Sequence, residues 1–383
     1  MFNILKKFIK RKLTASQWNT LRLILLPLLQ ILRKFLNIIL YIFFWLLPFG
    51  FIKSFNRRKN IVLFYDLRVS TYRFDVVTAL LAAAVNVNVG KGKKFDLVVF
   101  DPRRGRRSDG PLSANDSDSV RLHYLTSVIF ESLNVTGHVD EIYYLRSRIS
   151  LFSIWLETKF SHLLPAFYTP FLPKASHLFD DPLKVLKQRP DALPRFFPSL
   201  IFDSKVDQYL QSVGATGKFL TLGIRQKTWE KAYWNLNDEE QSAMIEFALK
   251  LKSTGLIDYM LIFKDFEQPF ETVDDFELIS KGFIIVPEAT LSVRYRVSIC
   301  SKASFNLCST NGTSQFALFN SPPCLLFNKD SWASGDRSVG DFCDLYDNLL
   351  VVNSLETLRA PATFKTIQHK ICAESKIQRL NFK

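Results

Sequence analysis

A short run of small polar residues in the last quarter of the chain is the stretch best suited to chemistry. Residues 309–314 (Ser-Thr-Asn-Gly-Thr-Ser) separate a strand candidate, 303–307, from apolar residues at helical spacing, 315–319. Backbone N–H groups are unpaired where a helix begins, and glycine lets an anion approach them closely. The pattern therefore predicts a phosphate-binding turn, although an ordinary turn with a helix cap at Thr313 fits the same residues. The residues predicted to contact the phosphate are Asn311, Gly312, Thr313 and Ser314.

Charged residues follow three other strand candidates in the second half of the chain. They are Arg225 and Lys227 after residues 219–224, Lys264 after Tyr259–Phe263, and Glu288 after residues 283–286. Ligands bind at the carboxyl ends of strands in open parallel sheets, so these positions are the first candidates for a site. The cations and the turn together predict a diphosphate site, with Glu288 accepting from ribose hydroxyls. Taken singly, each residue has another explanation: an ion pair for Arg225, solvation for Lys264 and a helix cap for Glu288.

In the first half of the chain, Asp66 and Arg68 directly follow the strand candidate 61–65. Asp66 is predicted as a general base, because a carboxylate at a strand end can take a proton from an acceptor hydroxyl. Arg68 is predicted to bind an anionic acceptor, since guanidinium pairs with phosphate through two hydrogen bonds. The loop after Phe95–Phe100 adds four more candidates for the acceptor, Arg103, Arg104, Arg106 and Arg107. A turn-capping Asp66 and a solvated basic loop are the competing interpretations.

Several kinds of site lack support in the sequence. No Walker A, GxGxxG, GxSxG, HExxH or DxD pattern occurs, and the 5 histidines are scattered. The 5 cysteines form no CxxC pair and no cluster with histidine, which indicates free thiols in a reducing compartment. We therefore predict no metal site and no resident cofactor.

The elements that would position these residues alternate between strand and helix patterns from residue 60 onward. This alternation predicts an α/β fold with parallel sheets and crossover helices. Seven prolines fall between residues 160 and 198, so this part is predicted to connect two domains. The predicted boundaries are 60–200 for the first domain, 201–353 for the second and 354–383 for a helical tail.

The N-terminal residues 1–59 differ in composition from the rest of the chain. The formal net charge is +14, and +12 of it lies in the first 60 residues, which contain no Asp or Glu. Residues 1–13 have the pattern of a basic amphipathic helix, and residues 35–52 are apolar except for Asn37. These features predict an anchor on an anionic membrane surface, either entering one leaflet or spanning the bilayer. Because only +2 remains for the rest, nucleic acid is not predicted as a partner.

Three segments carry a resemblance to a known family. Residues 220–251 (LTLGIRQKTWEKAYWNLNDEEQSAMIEFALKL) resemble the strand-Arg-loop-helix unit of glycosyltransferases with two Rossmann-like domains, the GT-B type. Residues 301–328 (SKASFNLCSTNGTSQFALFNSPPCLLFN) resemble the late motif of fucosyl- and heptosyltransferase-like enzymes, with Asn-Gly-Thr in place of Ser-Gly-Pro. Residues 64–84 (FYDLRVSTYRFDVVTALLAAA) resemble the opening unit of glycosyltransferases from bacterial surface-polysaccharide clusters.

The resemblance implies two Rossmann-like domains facing a cleft and a metal-independent transfer from a nucleotide-sugar donor. Carried over onto this sequence, Arg225, Gly312 and Thr313 would contact the donor diphosphate. The acceptor would be a glycan or lipid-linked molecule, and the protein would work at the cytoplasmic face of the cell inner membrane. The alternative is a catalytically inactive scaffold of the same fold, which would bind a partner rather than a donor.

Overall fold

The computed structural model describes the two sheets, the helices around them and part of the connecting chain. The described residues are 35–36, 39, 58–70, 75–87, 94–102, 122–166, 168–171, 173, 188, 195–196, 198, 200–223, 236–263, 273–287, 292–309, 314–320, 322–327 and 346–381. Within them every pairing between named strands is parallel. The predicted α/β class is thereby confirmed.

The first unit is built on a sheet of four strands. In chain order its elements are β1 (Ile61–Asp66), α1 (Asp75–Asn86), β2 (Phe95–Phe100), a π-helical turn (Leu125–Phe130) that continues into α2 (Glu131–Thr136), β3 (Val139–Leu145), α3 (Arg148–Glu157), a 3-10 turn (Phe160–His162) and β4 (Leu163–Leu164). The strand order is β3-β2-β1-β4. The chain therefore moves outward from β1 in one direction and returns to add β4 on the other side.

The second unit is built on a sheet of six strands. Its elements are α4 (Leu200–Ser212), β5 (Phe219–Gly223), α5 (Asp238–Ser253), β6 (Tyr259–Phe263), α6 (Val273–Ser280), β7 (Phe283–Ile285), α7 (Val293–Lys302), β8 (Phe305–Ser309), α8 (Gln315–Leu318), β9 (Cys324–Phe327), β10 (Leu349–Val352), α9 (Leu355–Arg359) and α10 (Pro361–Asn381). The strand order is β10-β9-β8-β5-β6-β7. The direction of winding reverses between β5 and β8.

Local sequence explains where the best-defined helices begin. Asn237 accepts a hydrogen bond from the backbone of Glu240, whose carboxylate accepts one from the backbone of Asn237. This reciprocal capping box satisfies two N–H groups that have no partner inside the helix. Ser292 caps α7 in the simpler way, with its hydroxyl accepting from Tyr295 N. Both helices follow loops that leave the carboxyl edge of the second sheet.

Three groups of buried apolar side chains hold the molecule together. One covers a face of each sheet and runs without interruption from the first unit to the second, from Ile61 to Tyr346. Another lies on the opposite face of the first sheet, against α3, where Trp155 is fully buried. The third lies on the opposite face of the second sheet and includes Phe364 and Ile367 of α10. The C-terminal helix is thus packed on the second sheet along its first part.

At the amino edge of the first sheet, Arg58 ties the incoming chain to the strands. Its guanidinium lies 3.2 Å from an oxygen of the buried Asp96 and 2.8 Å from the Tyr143 hydroxyl. Its backbone forms a parallel bridge with Thr158. Within the described residues, no helix is long and apolar enough to cross a membrane. The predicted anchor, 1–59, lies almost wholly outside the described residues and stays a prediction.

Two of the differences from the sequence-based expectation concern strands. The proline-containing part, 160–198, was predicted only to connect the domains, but Leu163 pairs with Val62 and extends the first sheet as β4. The proline does not prevent this pairing, because Pro165 follows the two strand residues Leu163 and Leu164 and does not interrupt them. The predicted strand 303–307 is in fact Phe305–Ser309, because Ala303 still donates its N–H to Ile299 and ends α7.

Candidate functional site

The first sheet carries a buried polar cluster at the point where its winding reverses. Asp66 is the last residue of β1, and Arg68 follows two residues later. Tyr168 comes four residues after β4, which pairs with β1. We call Asp66, Arg68 and Tyr168 the Asp66 cluster. It joins residues from both sides of the reversal, the place where parallel sheets bind ligands.

Both partners donate hydrogen bonds to the Asp66 carboxylate. Arg68 approaches Oδ1 with its backbone N–H at 2.9 Å and with Nε at 3.0 Å, and it approaches Oδ2 with Nη2 at 2.6 Å. The Tyr168 hydroxyl donates to Oδ2 at 2.8 Å. Each carboxylate oxygen therefore receives at least two donors, which fills its lone pairs. Asp66 itself is 0% exposed.

Aromatic side chains enclose the cluster. The ring of Tyr168 stacks on Phe64 with centroids 4.5 Å apart, and Trp155 donates from Nε1 to the Tyr168 carbonyl at 2.9 Å. The Arg68 guanidinium lies over the Phe100 ring, 4.9 Å from its centroid. The Arg68 side chain keeps 14% of its surface exposed. The cluster is therefore fixed on the protein side, and the Arg68 side chain is partly exposed while the Asp66 side chain is not.

The environment of the cluster shifts two pKa values upward. Burial raises the pKa of Tyr168 well above its ordinary value, and the charge of Asp66 and the hydrogen bond to it act in the same direction. Burial acts to lower the pKa of Arg68, but hydrogen bonding to Asp66 and its charge outweigh that effect, so the pKa is raised. Near neutral pH the phenol is thus a hydrogen-bond donor and the guanidinium is charged.

The second sheet ends differently at its own point of reversal. There β5 and β8 are neighbours, with Gly223 paired to Cys308. The hydroxyl of Ser309 lies 3.4 Å from the Gly223 carbonyl oxygen. A Cβ added at Gly223 would meet Cys308 Cβ at 3.6 Å, an ordinary contact. Small residues therefore form this edge, and the chain leaves it toward Arg225 from β5 and toward the predicted turn from β8.

Most of the predicted site residues lie outside the described part of the chain. They are Arg103, Arg104, Arg106, Arg107, Arg225, Lys227, Lys264, Glu288, Asn311, Gly312 and Thr313. Their roles stay predictions, as does the base role of Asp66. Ser314 is described and buried, directly before α8. Because α8 is only four residues long, its dipole is small, and an anion at this turn would depend on N–H groups and cations.

Side chains from the two units meet beside these edges. Thr78, in the first turn of α1, donates to the Gln315 side chain of α8 at 3.1 Å. Each of these two helices follows a strand of its own sheet, so both begin at a carboxyl edge. Glu131 of α2 accepts from the Ser292 hydroxyl at 2.8 Å and from Arg294 N at 3.2 Å, at the start of α7. The carboxyl edges of the sheets therefore adjoin a shared interface.

Sequence reasoning missed the long-range contacts of this region. Tyr168 lies 102 positions from Asp66, and Thr78 lies 237 positions from Gln315, so no local pattern links them. Glu131 is likewise 161 positions from Ser292. The one local signal is Asp66-Leu67-Arg68, because an aspartate can accept from the backbone N–H two residues later. In the described part of the chain, no group of three His, Cys, Asp or Glu could hold a metal ion.

Comparisons with known proteins give structural likeness at low identity. No protein-family model and no curated protein matches the sequence. A glycosyl transferase of family 9 from Veillonella parvula DSM 2008 is similar, with 10% identity, 82% of this chain and 98% of that chain covered, and a TM-score of 0.49. The ADP-heptose lps heptosyltransferase II of E. coli has 10% identity, coverage of 82% and 98%, and a TM-score of 0.44. Fucosyltransferase NodZ from Bradyrhizobium has 10% identity, coverage of 70% and 95%, and a TM-score of 0.34.

Proposed function

We propose that this protein is a glycosyltransferase that takes a sugar from a nucleotide-diphosphate donor. The observation that supports it most is the meeting of two parallel sheets near their carboxyl edges, at the contact between Thr78 and Gln315. Two such edges beside one interface provide separate places for a donor and an acceptor, as the GT-B arrangement requires. Transfer then depends on positioning and on charge rather than on a resident cofactor.

The second unit is the proposed donor side. Arg225 and Lys227 come after β5, and the turn 311–314 comes between β8 and α8, so both segments are attached to neighbouring strands. Negative charge builds up on the leaving phosphate as the bond to the sugar breaks, and cations and backbone N–H groups stabilise it. Lys264 and Glu288, which come after β6 and β7, are proposed to bind the nucleotide.

The first unit is the proposed acceptor side. Arg68 and the arginines of the loop 103–107 would hold an anionic acceptor. Asp66 is the proposed base, although it can serve only if it exchanges one of its present hydrogen bonds for the acceptor hydroxyl. The acceptor is proposed to be a glycan or a lipid-linked glycan of a bacterial surface polysaccharide. The residues 1–59 would hold the protein at the cytoplasmic face of the inner membrane.

Direct donor binding tests this function. We expect calorimetry with a panel of nucleoside diphosphates to show uptake of at least one of them. Arg225→Ala should weaken that binding by roughly 10- to 100-fold, because a hydrogen bond to a charged group is worth about 1.5–3 kcal/mol. Arg359→Ala is the matched control, since Arg359 is exposed and pairs with Glu239. Full binding by a folded Arg225→Ala protein would remove the proposed donor site.

Two further variants separate the two sides of the cleft. Gly312→Val should block the close approach of the diphosphate to the backbone and reduce nucleotide binding. Arg103→Ala should weaken the use of the acceptor more than the binding of the nucleotide. The measurements are turnover with an active donor and nucleotide affinity, with the melting temperature as the control on folding. Equal losses of both quantities in Arg103→Ala would contradict the assignment of that loop to the acceptor.

The second candidate is an inactive scaffold of the same fold. It is favoured by one observation: Arg68 and Tyr168 occupy both oxygens of Asp66, a residue that is 0% exposed. A scaffold would take up no nucleoside diphosphate at millimolar concentration. Such a result, with a normal melting temperature, would replace the enzyme by the scaffold.

A further inference from the structure

We propose that the Asp66 cluster is an oxyanion-binding site in which Arg68 binds the anion and Tyr168 and Asp66 are positioning residues. The ligand class is a phosphate or carboxylate group. This inference deepens the proposed function, and rests on it, in assigning that group to the acceptor. Binding of an oxyanion at Arg68 is a separate matter that can be tested without any donor.

The turn that follows β1 positions the Arg68 side chain. The backbone carbonyl of Asp66 accepts from Val69 N at 3.0 Å and from Ser70 N at 2.7 Å. The side chain of Asp66 accepts from Arg68 N at 2.9 Å. An aspartate that bonds to the backbone two residues later fixes the direction of the next side chain. The turn therefore folds the Arg68 guanidinium back over the end of β1.

The Arg68 guanidinium uses only some of its N–H donors within the cluster. Arg68 turns the edge formed by Nε and Nη2 toward the Asp66 carboxylate, and the Phe100 ring covers one of its faces. A guanidinium has five N–H donors, and this edge uses one on Nε and one on Nη2, which leaves the second on Nη2 and the two on Nη1. Nη1 has no hydrogen-bond acceptor among the residues that the structure describes. This end of the guanidinium is suited to a phosphate or carboxylate, whose oxygens match its geometry.

Tyr168 holds the Asp66 carboxylate in place. Its hydroxyl donates to Oδ2, the same oxygen that Arg68 Nη2 approaches at 2.6 Å. The hydrogen bond stops the carboxylate from turning and so fixes the plane of the guanidinium. The ring is held by stacking on Phe64 and by the Trp155 hydrogen bond to its carbonyl. Because the pKa of Tyr168 is raised, the phenol keeps its proton and remains a donor at neutral pH.

The Asp66 cluster carries no net charge. Asp66 and Arg68 cancel each other, so a long-range field does not attract the anion to this cluster. Binding must come from oriented hydrogen bonds, which have value only if the donor is held in place before the ligand arrives. This requirement explains why a buried tyrosine and a buried carboxylate both serve to position one arginine. It also predicts that loss of the Tyr168 hydroxyl alone weakens the binding.

The test follows the Arg68 guanidinium directly. In full-length protein labelled with 15N-arginine, the Nε signal lost in Arg68→Lys identifies Arg68. Inorganic phosphate and acetate are titrated in separate arms at constant ionic strength. We expect one or both to shift the Arg68 signal saturably, and the arm that binds more tightly identifies phosphate or carboxylate. Tyr168→Phe should weaken the affinity by about 3- to 10-fold, the size of one neutral hydrogen bond.

Matched controls separate this effect from general ones. Arg146→Lys alters an exposed arginine that follows β3 at the same edge, and Tyr209→Phe removes a hydroxyl that donates to the Ile285 carbonyl in the second unit. Both proteins should bind the oxyanion with the affinity of the parent. In Tyr168→Phe the ring still stacks, but the hydrogen bond to Asp66 Oδ2 is lost. Because Asp66 is then held less firmly, the Arg68 signal should also broaden or move without ligand.

Three results would overturn the proposal. An Arg68 signal that neither oxyanion moves would remove the site, and an unchanged affinity in Tyr168→Phe would remove the positioning role. Parent-like phosphate binding by Arg68→Gln would assign the anion elsewhere, and this variant keeps the inference testable if Tyr168→Phe fails to fold. Nucleoside diphosphate uptake, measured on the same samples, reports on the proposed function. Loss of one binding with retention of the other therefore shows which of the two ideas has failed.

Discussion

The two sheets finish their carboxyl ends in contrasting ways. In the first sheet, the strand at the reversal of winding ends in side chains that satisfy one another, with Asp66 receiving donors from Arg68 and Tyr168. In the second sheet, the corresponding strands end in Gly223 and Ser309, which bring little more than backbone. The comparison teaches that the first edge is built to fix one cation in advance. The second edge carries small residues, and any site there depends on the segments that follow it.

The largest effect that would sharpen this contrast is expected at Asp66. Asp66→Ala leaves the Arg68 guanidinium and the Tyr168 hydroxyl without their shared acceptor. The free energy of unfolding should fall by about 3–5 kcal/mol, as when one partner of a buried ion pair is removed. Ser309→Ala, at the other edge, should cost only about 0.5–1.5 kcal/mol. Urea unfolding measures both.

A control for this pair is Asp140→Ala. Asp140 is an exposed carboxylate of the first unit that also accepts from two side chains, Asn60 and Lys94. Little change in stability is expected, because exposed ion pairs exchange readily with water. If Asp140→Ala and Asp66→Ala were equally destabilising, burial would not explain the contrast between the edges.

The next effect concerns the contact that joins the units. Glu131→Ala removes the acceptor for the Ser292 hydroxyl and for Arg294 N at the start of α7. We expect a loss of about 1–2 kcal/mol, since a charged acceptor at a helix start contributes both a hydrogen bond and a dipole interaction. Glu277→Ala breaks only an exposed pair with Lys281 and serves as the control. Chemical denaturation that found no difference between the two variants would show that the contact does not couple the units.

A smaller effect should appear in alkaline solution. The folded protein holds the pKa of Tyr168 well above its ordinary value, so the unfolded chain releases this proton first as pH rises. A raised pKa gives stability that is complete below the unfolded value and is lost above it. The free energy of unfolding should therefore decline above about pH 10, the ordinary tyrosine value. In Tyr168→Phe the decline should be shallower, and a parallel decline would place the titrating group elsewhere.

The smallest effect is expected at the second edge. Gly223→Ala adds a Cβ that meets Cys308 Cβ at an ordinary 3.6 Å. Stability should stay unchanged or rise by up to about 1 kcal/mol, because alanine lowers the entropy of the unfolded chain. Thermal unfolding provides the measurement. A clear loss of stability would mean that this edge is as tightly filled as the first one.

Much of the fold could be predicted because its strands are buried apolar runs with sharp ends. Phe95–Phe100 and Tyr259–Phe263 have the predicted bounds. Helix α3 was not predicted. Its apolar pattern is blurred by Ile149, which is exposed beside the buried Leu151 and Ile154. Helix periodicity is hard to detect when apolar residues also lie on the solvent side.

The site was predictable only where neighbours in the sequence are neighbours in space. Asp66 and Arg68 satisfy that condition, and both were singled out from their place after a strand. Tyr168 does not, because it depends on a two-residue strand inside a proline-containing region. The ion pair of Asp66 with Arg68 was equally hidden, since a carboxylate that accepts a proton and one that holds an arginine look alike in sequence.

The attachment of Arg58 to the amino edge of the first sheet sets a length scale. Arg58 bonds to Asp96 near the start of β2, whereas the Asp66 cluster lies at the far end of the six-residue β1. Six residues of strand span about 20 Å. If the predicted anchor holds a bilayer next to Arg58, the first sheet acts as a spacer between lipid and cleft. A bare lipid headgroup would then be too short to reach the cluster, so under the proposed function only acceptors extended by several sugars would serve as substrates.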